Sequence, residues 1–350
     1  MVHLTLLVSS FFGFLKHKKK PLIWVSFAIL LVFSAFRYGY GNDFYPYRNI
    51  FTEIKVTGWH SELSDNVLFI LLNKICPTYQ FFLALTSLLF LATMFLLIYR
   101  NVSEKYQGLA LLVFLINPYL FLMSLSIIRQ CLALLLFVLA INFSMKRKII
   151  PYIAIILLAS LVHTSAILLL PFYFLANDRK PSRIFLIVTI GVLLLLIFNP
   201  LSFDWVMGFF EEFMAESRYT AYTESGSNTL RATLLSSSYL IYVVLNIRKL
   251  EGRTLAYAKL YMMAPILAIL AYKIAMFTRL QMYFDYFSII ALPGIIEANQ
   301  KKEKDFVLRL INIYAFPILI FTIYALRYYS FFTNDLWETF RTYRINLELF

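Results

Sequence analysis

Charge is scarce in this chain. Of its 350 residues 15% are Asp, Glu, Lys or Arg and 61% are hydrophobic, whereas a soluble domain carries about 25% charged residues and roughly half apolar ones. That balance argues against a soluble fold. Cysteine is scarcer: Cys76 and Cys131 stand alone, one in a loop and one in an apolar run, too few for a disulfide framework or a thiolate metal site. The four histidines, at 3, 17, 60 and 163, lack metal-ligand spacing. No P-loop, G-x-G-x-x-G, H-E-x-x-H or D-x-D pair occurs, which leaves nucleotide-driven transport and a metal-held sugar nucleotide without support. Neither a metal nor a cofactor is expected.

What the chain has in abundance is apolar runs, at roughly 2–15, 21–38, 79–99, 107–143, 149–175, 184–202, 229–247, 254–277, 280–298 and 306–326. At a rise of ~1.5 Å per residue a helix crosses the hydrocarbon core in about 20 residues, so the length allows roughly ten to twelve transmembrane helices. The expected fold is all-α: a polytopic integral membrane helical bundle, residues 1–350 forming a single transmembrane domain with broken or re-entrant segments. The opening run Leu4 to Leu15 is followed, not preceded, by its basic cluster Lys16 to Lys20 and shows no small-residue cleavage pattern, so it reads as a short first span.

The formal charge is +13, and its distribution matters more than its size. Six basic connectors separate the runs: Lys16 to Lys20, Arg100 to Lys105, Lys146 to Lys148, Arg179 to Arg183, Arg248 to Arg253 and Lys301 to Lys304. Basic residues confined to short loops between apolar runs are the pattern of cytoplasmic loops, not of a nucleic-acid interface. With all six on the cytoplasmic side, both 107–143 and 149–175 must leave that side and return to it, so each must bend. Asn117-Pro118 supplies a break in the first, since proline lacks a backbone donor and restricts the residue before it. In the second the bend falls at His163-Thr164-Ser165, with arms of roughly 20 Å against a ~30 Å core. Irregular backbone at that depth is tolerated only beside protein or a water-filled cavity, which argues for a cavity in the outer half.

Two outer segments, about 39–78 and 203–228, are long enough to shape such a cavity. In the second, Trp205, Val206, Phe209, Phe210, Phe213 and Met214 repeat at helical spacing opposite Asp204, Glu211, Glu212 and Glu216, the pattern of an interfacial helix. Ser217 to Asn228 is polar and rich in Gly, Ser and Thr, suited to a mobile lid; the plainer alternative is a surface helix that anchors a loop.

An ionisable residue in or at the edge of the membrane is costly and is therefore a functional candidate. Arg37, Asp43, Arg129, His163, Arg279 and Asp285 meet that criterion. The first five fall near the outer face on this topology, with Arg129 about three turns beyond Asn117-Pro118. Each has a structural alternative. Arg37 and Arg279 can snorkel to the interface, Arg129 can pair within the bundle, His163 can bond Ser165 or a carbonyl, and Asp285 can pair with Lys273 or a tyrosine. Tyr38, Tyr40, Tyr45 and Tyr47 suit an interfacial aromatic belt as well as a sugar-binding wall. Arginines converging on an outward cavity would fit a diphosphate, because guanidinium stays charged and offers fixed bidentate donors.

After a span, Arg37-Tyr38-Gly39-Tyr40-Gly41-Asn42-Asp43-Phe44-Tyr45-Pro46-Tyr47 resembles the opening signature of the EpsG-like family of Wzy-type polysaccharide polymerases. Three further elements follow in order. Ile128-Arg129-Gln130 resembles the family's central arginine helix, His163-Thr164-Ser165-Ala166 its histidine-small-small element, and Thr278-Arg279 with Tyr283-Phe284 its late arginine-aromatic element. The acidic-glycine element after the first loop is represented by Ser64-Asp65-Asn66, and Asp335 to Phe350 matches the pattern poorly.

The resemblance implies Arg37, Asp43, Arg129, His163 and Arg279 as site positions. It also implies a metal-independent glycosyltransferase that moves a glycan from undecaprenyl diphosphate onto the next lipid-linked repeat unit, at the outer face of the bacterial cytoplasmic membrane. Its partners would be the lipid-linked oligosaccharide, the lipid bilayer, and chain-length regulator and flippase proteins, with no nucleic acid. On that reading Arg129, Arg279 and Arg37 hold the diphosphate, Tyr45 and Tyr47 face the sugar, and His163 or Asp43 takes the acceptor hydroxyl proton. The same arginines would serve a transporter or flippase of lipid-linked glycans, although the two halves of the chain show no similarity that would mark transporter repeats. A ligase or acyltransferase using the same outward cavity is the third reading.

Overall fold

The computed structural model of the chain describes residues 1–17, 20–184, 186, 187, 189, 191, 230–271 and 276–346. Apart from two pairs of two-residue strands, the elements among these residues are helical, and the chain is an all-α polytopic membrane protein. Among the described residues four helices are long and apolar enough to cross a membrane: Tyr79–Asn101, Ile128–Met145, Gly252–Leu270 and Phe306–Thr333. Four shorter apolar helices accompany them, Val2–Phe14, Ile23–Ala35, Ile149–Ser160 and Thr164–Tyr173. The amphipathic stretch from Trp205 to Met214 and the polar stretch from Ser217 to Asn228 lie outside the described residues. The chain divides into two compact units, Met1–Ala176 with Phe321–Phe350, and Asn177–Ile320.

In chain order the first unit carries α1 (Val2–Phe14), α2 (Ile23–Ala35), α3 (Phe44–Thr57), α4 (Val67–Ile75), α5 (Tyr79–Asn101), α6 (Gln107–Ile116), α7 (Phe121–Ser124), α8 (Ile128–Met145) and α9 (Ile149–Ser160). Helix α1 packs on α2 and α6, α2 on α5, and α8 on α9 and the 3-10 segment that follows it. At Gly13 and Gly108 the contact between α1 and α6 is backbone to backbone. A Cβ on Gly108 would lie 2.7 Å from the Gly13 carbonyl oxygen, so the close approach depends on small residues, as in other membrane helix pairs.

Both long apolar runs bend where proline and the length arithmetic put the breaks. Helix α6 stops at Asn117, ahead of Pro118, and α8 starts at Ile128. Between them only the single turn α7 is helical. Pro118 donates nothing, and Ser124 Oγ bonds the Phe121 carbonyl at 2.6 Å, a local bond that competes with helix continuation. This corrects one expectation: Arg129 sits in the first turn of a new helix, not three turns along one that begins at Asn117-Pro118. In the second run α9 ends at Ser160, and His163 is extended (φ −152°, ψ 111°) before 3-10 turns resume at Thr164.

The second unit contains Leu230–Asn246, Gly252–Tyr261, Met263–Leu270, Met276–Asp285 and Ser288–Lys302, followed by the start of the last long helix. One end of it is fixed by buried polar groups that bond one another, as buried polar groups must. Asn246 Nδ2 donates to Asn312 Oδ1 at 2.7 Å, and Asn299 Nδ2 to Asn246 Oδ1 at 2.8 Å. Lys249 Nζ reaches Asn299 Oδ1 at 2.7 Å and the Glu303 carboxylate at 2.5 Å. Lys302 bonds Glu251 at 2.6 Å, and Lys180 pairs with the same carboxylate at 3.7 Å. Three of the six basic connectors therefore meet at one end of this unit.

Candidate functional site around Arg129

The signature motif folds as a tight loop between α2 and α3. Arg37 and Tyr38 form a two-residue strand, Gly39 and Gly41 turn with φ of +61° and +101°, and Asp43 precedes α3. Arg37 is 1% exposed and points inward. Its Nη1 donates to the Ser34 carbonyl at 2.7 Å and to Ser87 Oγ at 3.2 Å, and Nη2 donates to the Leu125 carbonyl at 3.2 Å. Gly41 meets the same corner. A Cβ there would lie 3.1 Å from Ser126 Oγ and 3.3 Å from the Leu125 carbonyl oxygen, and the positive φ independently favours glycine. The motif thus grips the corner from which α8 departs. A small cavity lined by Ser34, Arg37, Ser87, Leu125, Ile128 and Cys131 lies beside this grip, with room for about one water.

Arg129 stands just past that corner and is half-buried. Its backbone nitrogen lies 3.5 Å from the hydroxyl of Tyr47, on the first turn of α3. Its Nη1 donates to Asn66 Oδ1 at 3.2 Å, and its guanidinium carbon lies 5.9 Å from the centroid of the Phe69 ring, close enough for a cation–π contribution. Nε of Arg129 is buried and makes no hydrogen bond among the described residues. Asn66 is 5% exposed. Its Nδ2 donates to Thr164 Oγ1 at 3.2 Å and to the Ser160 carbonyl at 3.4 Å, and the Leu68 amide reaches the Leu161 carbonyl at 3.1 Å. Arginine can only donate, so the amide's orientation is dictated: oxygen to Arg129, nitrogen to Thr164. Asn66 therefore ties the arginine helix to the break that bears His163.

An apolar core lies under these polar groups. Phe44, Tyr47 and Phe51 of α3, Phe69 of α4, Phe82 of α5, Ile128 and Leu132 of α8, and Val162 beside the break form one buried cluster. Packed interiors have low compressibility and hold side chains in rotamer minima. This core accordingly sets the spacing between Arg129 and the 161–164 break.

The structure brings Arg129, Tyr47, Thr164 and, one residue away, half-buried His163 to one place. Asp43 directly precedes α3, and its carbonyl accepts the helical bond from the Tyr47 amide at 3.0 Å. Arg37 instead lies beneath, bonded to carbonyls. The four tyrosines of the motif do not form one belt: Tyr40 is 0% and Tyr47 7% exposed, whereas Tyr45 is 50% exposed. Arg279 is half-buried on Met276–Asp285 in the second unit. Asp285 accepts from Gln281 Nε2 at 3.0 Å; Lys273 lies outside the described residues. Asn66, which the sequence offered only within the Ser64-Asp65-Asn66 element and not as a site residue, belongs to this site. A signal was present, because asparagine directly before an apolar helical run is a helix N-cap candidate. Here it occupies the N-cap position of α4 without capping it, and the side chain is spent on Arg129 and Thr164.

These features define a multi-pass helical membrane protein whose candidate site is arginine-centred and built at breaks between helices. The chain matches the EpsG family over residues 2–337 and belongs to that family, which supports a role in polysaccharide polymerisation. No curated protein and no solved structure matches the chain.

Proposed function

We propose that the chain is a polysaccharide polymerase that transfers a glycan from undecaprenyl diphosphate onto a lipid-linked repeat unit at the outer face of the bacterial cytoplasmic membrane. The observation that carries this reading is the half-buried Arg129, held by Asn66 next to the His163 break, whose buried Nε makes no hydrogen bond among the described residues. Such a group suits a diphosphate oxygen.

In this scheme Arg129 binds the diphosphate and stabilises the negative charge that develops as the bond from the sugar carbon to the phosphate oxygen breaks. Arg279 is the second candidate for that contact. The acceptor hydroxyl oxygen attacks the sugar carbon, its proton passes to His163 or Asp43, and polyprenyl diphosphate leaves. His163 is preferred because an imidazole titrates near neutrality. The leaving-group charge is met by guanidinium rather than by a metal ion. The inward bonds of Arg37 suit it to holding the Leu125 corner behind Arg129. The exposed ring of Tyr45 suits a sugar face, while the Tyr47 hydroxyl serves the backbone of Arg129. Chain-length regulator and flippase proteins would act on either side of this step.

The test is reconstitution of the full chain in liposomes with undecaprenyl-diphosphate-linked repeat units. Longer glycans together with released undecaprenyl diphosphate are expected. Movement of the substrate between leaflets without lengthening would instead identify a transporter, and transfer to lipid A or protein a ligase.

A further inference from the structure

The family match ends at Trp337, yet the residues around and beyond that point fold back onto the signature loop. Arg344–Ile345 pairs antiparallel with Arg37–Tyr38, placing Ile345 opposite Arg37 and Arg344 opposite Tyr38. The Asn346 amide donates to the Phe36 carbonyl at 2.9 Å, and its Nδ2 donates to Gln80 Oε1 at 2.9 Å. Gln80 in turn donates to the Ala35 carbonyl. The Tyr343 ring stacks on Phe33 at 4.3 Å and 15°, and its hydroxyl donates to the Phe33 carbonyl at 2.6 Å. Tyr40 meets Phe340 and Tyr343 edge-on at 5.2 and 5.3 Å. Further along the loop, Asn42 Nδ2 donates to the Leu336 carbonyl at 2.8 Å, and its Oδ1 accepts from Thr339 at 2.5 Å.

These contacts answer two physical needs. The last carbonyls of a helix have no partner within it, and here the carbonyls of Phe33, Ala35 and Phe36 at the end of α2 are bonded by Tyr343, by Gln80 held from Asn346, and by Asn346 itself. A two-residue strand with an open edge is not stable alone, and Arg344–Ile345 supplies its partner. The loop so held is the one whose Arg37 and Gly41 grip the Leu125–Ser126 corner, from which Arg129 projects.

We propose that residues 334–346 form a strap in which Tyr343 and Asn346 are positioning residues: they hold the Arg37–Asn42 loop, and through the corner it grips they hold Arg129. The hold on the loop stands independently of the polymerase reading; its consequence for turnover rests on that reading. Neither residue touches Arg129 or His163. A loop that is correctly placed only part of the time lowers the fraction of competent molecules. Because Arg129 is read as the diphosphate ligand, that raises the apparent donor KM by the reciprocal of the fraction and leaves kcat at saturating donor nearly unchanged.

The experiment compares the wild-type full chain in lipid nanodiscs with Tyr343→Ala/Asn346→Ala and with Tyr343→Phe. Hydrogen exchange of peptides spanning 36–43 should quicken about tenfold in the double variant, the scale of a lost hydrogen bond, with peptides inside α5 unchanged. Given undecaprenyl-diphosphate-linked repeat units extracted from the source cells, the double variant should show a donor KM raised about tenfold with kcat within about twofold. Tyr343→Phe, which retains the stack and loses only the bond to the Phe33 carbonyl, should fall between wild type and the double variant in both measurements. Unchanged exchange at 36–43 in the double variant overturns the strap, and a loosened loop with intact donor KM overturns its positioning role. If the double variant does not fold, Asn346→Ala alone is read by the same criteria. If wild type makes no polymer, the polymerase reading fails, and the exchange measurement alone decides whether the strap holds the loop.

Discussion

Arg129 and Asn66 are 63 residues apart along the chain and 3.2 Å apart across the site. Asn66 spends its other end on Thr164 at 3.2 Å, so one amide side chain joins a charged helix start to a histidine-bearing break. Two hydrogen bonds on opposite ends of a short, nearly buried side chain leave it little freedom, and that rigidity is what a phosphate-binding arginine needs in order to be placed before substrate arrives.

Asn66→Ala removes the bonds to Arg129, Thr164 and the Ser160 carbonyl and should lower polymer formation by about tenfold or more, with loss of up to about 3 kcal/mol of stability where buried partners are left unmet. Asn66→Asp retains the acceptor for Arg129 but cannot donate to Thr164 when ionised, and should fall between alanine and wild type. Chain-lengthening rates and thermal unfolding of the two variants check this; equal rates for both variants and wild type would remove Asn66 from the site.

Arg129→Lys retains the charge and loses the planar fork. If the diphosphate is held by paired donors, product formation should drop about a hundredfold. Wild-type activity in that variant would take the guanidinium out of the mechanism.

Arg37 and Gly41 predict a further phenotype, since both meet the Leu125–Ser126 corner from which α8 departs. Gly41→Ala adds a Cβ 3.1 Å from Ser126 Oγ at a φ of +101°, which should cost about 1–3 kcal/mol. Arg37→Leu leaves the Ser34 and Leu125 carbonyls without their donor and should cost a similar amount. Denaturation midpoints in detergent provide the measure. Activity at limiting donor should stay below wild type in either variant even at temperatures where it is fully folded, because the same grip places Arg129.

Acid should weaken the second unit through Glu303. The hydrogen bond from Lys249 holds this carboxyl below its ordinary range, so folding favours its ionised form. The resulting stabilisation is complete above the unfolded value of about 4.3 and disappears as pH falls through the lower folded value. Unfolding midpoints followed from pH ~6 to ~3 should therefore decline more steeply in wild type than in Glu303→Gln. Parallel curves would contradict the assignment.

Much of the architecture was legible because it follows from local chemistry. Asn117-Pro118 breaks a helix wherever it occurs, since proline has no amide to donate. The second bend followed from a run too short for two full crossings. The site was legible only as a set of residue types. Arg129 and His163 were both candidates, but nothing local joins them; Asn66 and the core around Phe69 and Phe82 do so through long-range packing.

The amino-acid sequence by itself determined that this is a helical membrane protein of the EpsG family, where its long runs break, and which ionisable residues sit at those breaks. Only the tertiary structure decided that Arg37 turns inward while Arg129 stands beside the His163 break, and that the C-terminal residues strap the signature loop. The physical reason is that hydropathy and backbone donors act residue by residue. The direction of a guanidinium depends instead on which carbonyls and amides distant segments leave within its reach.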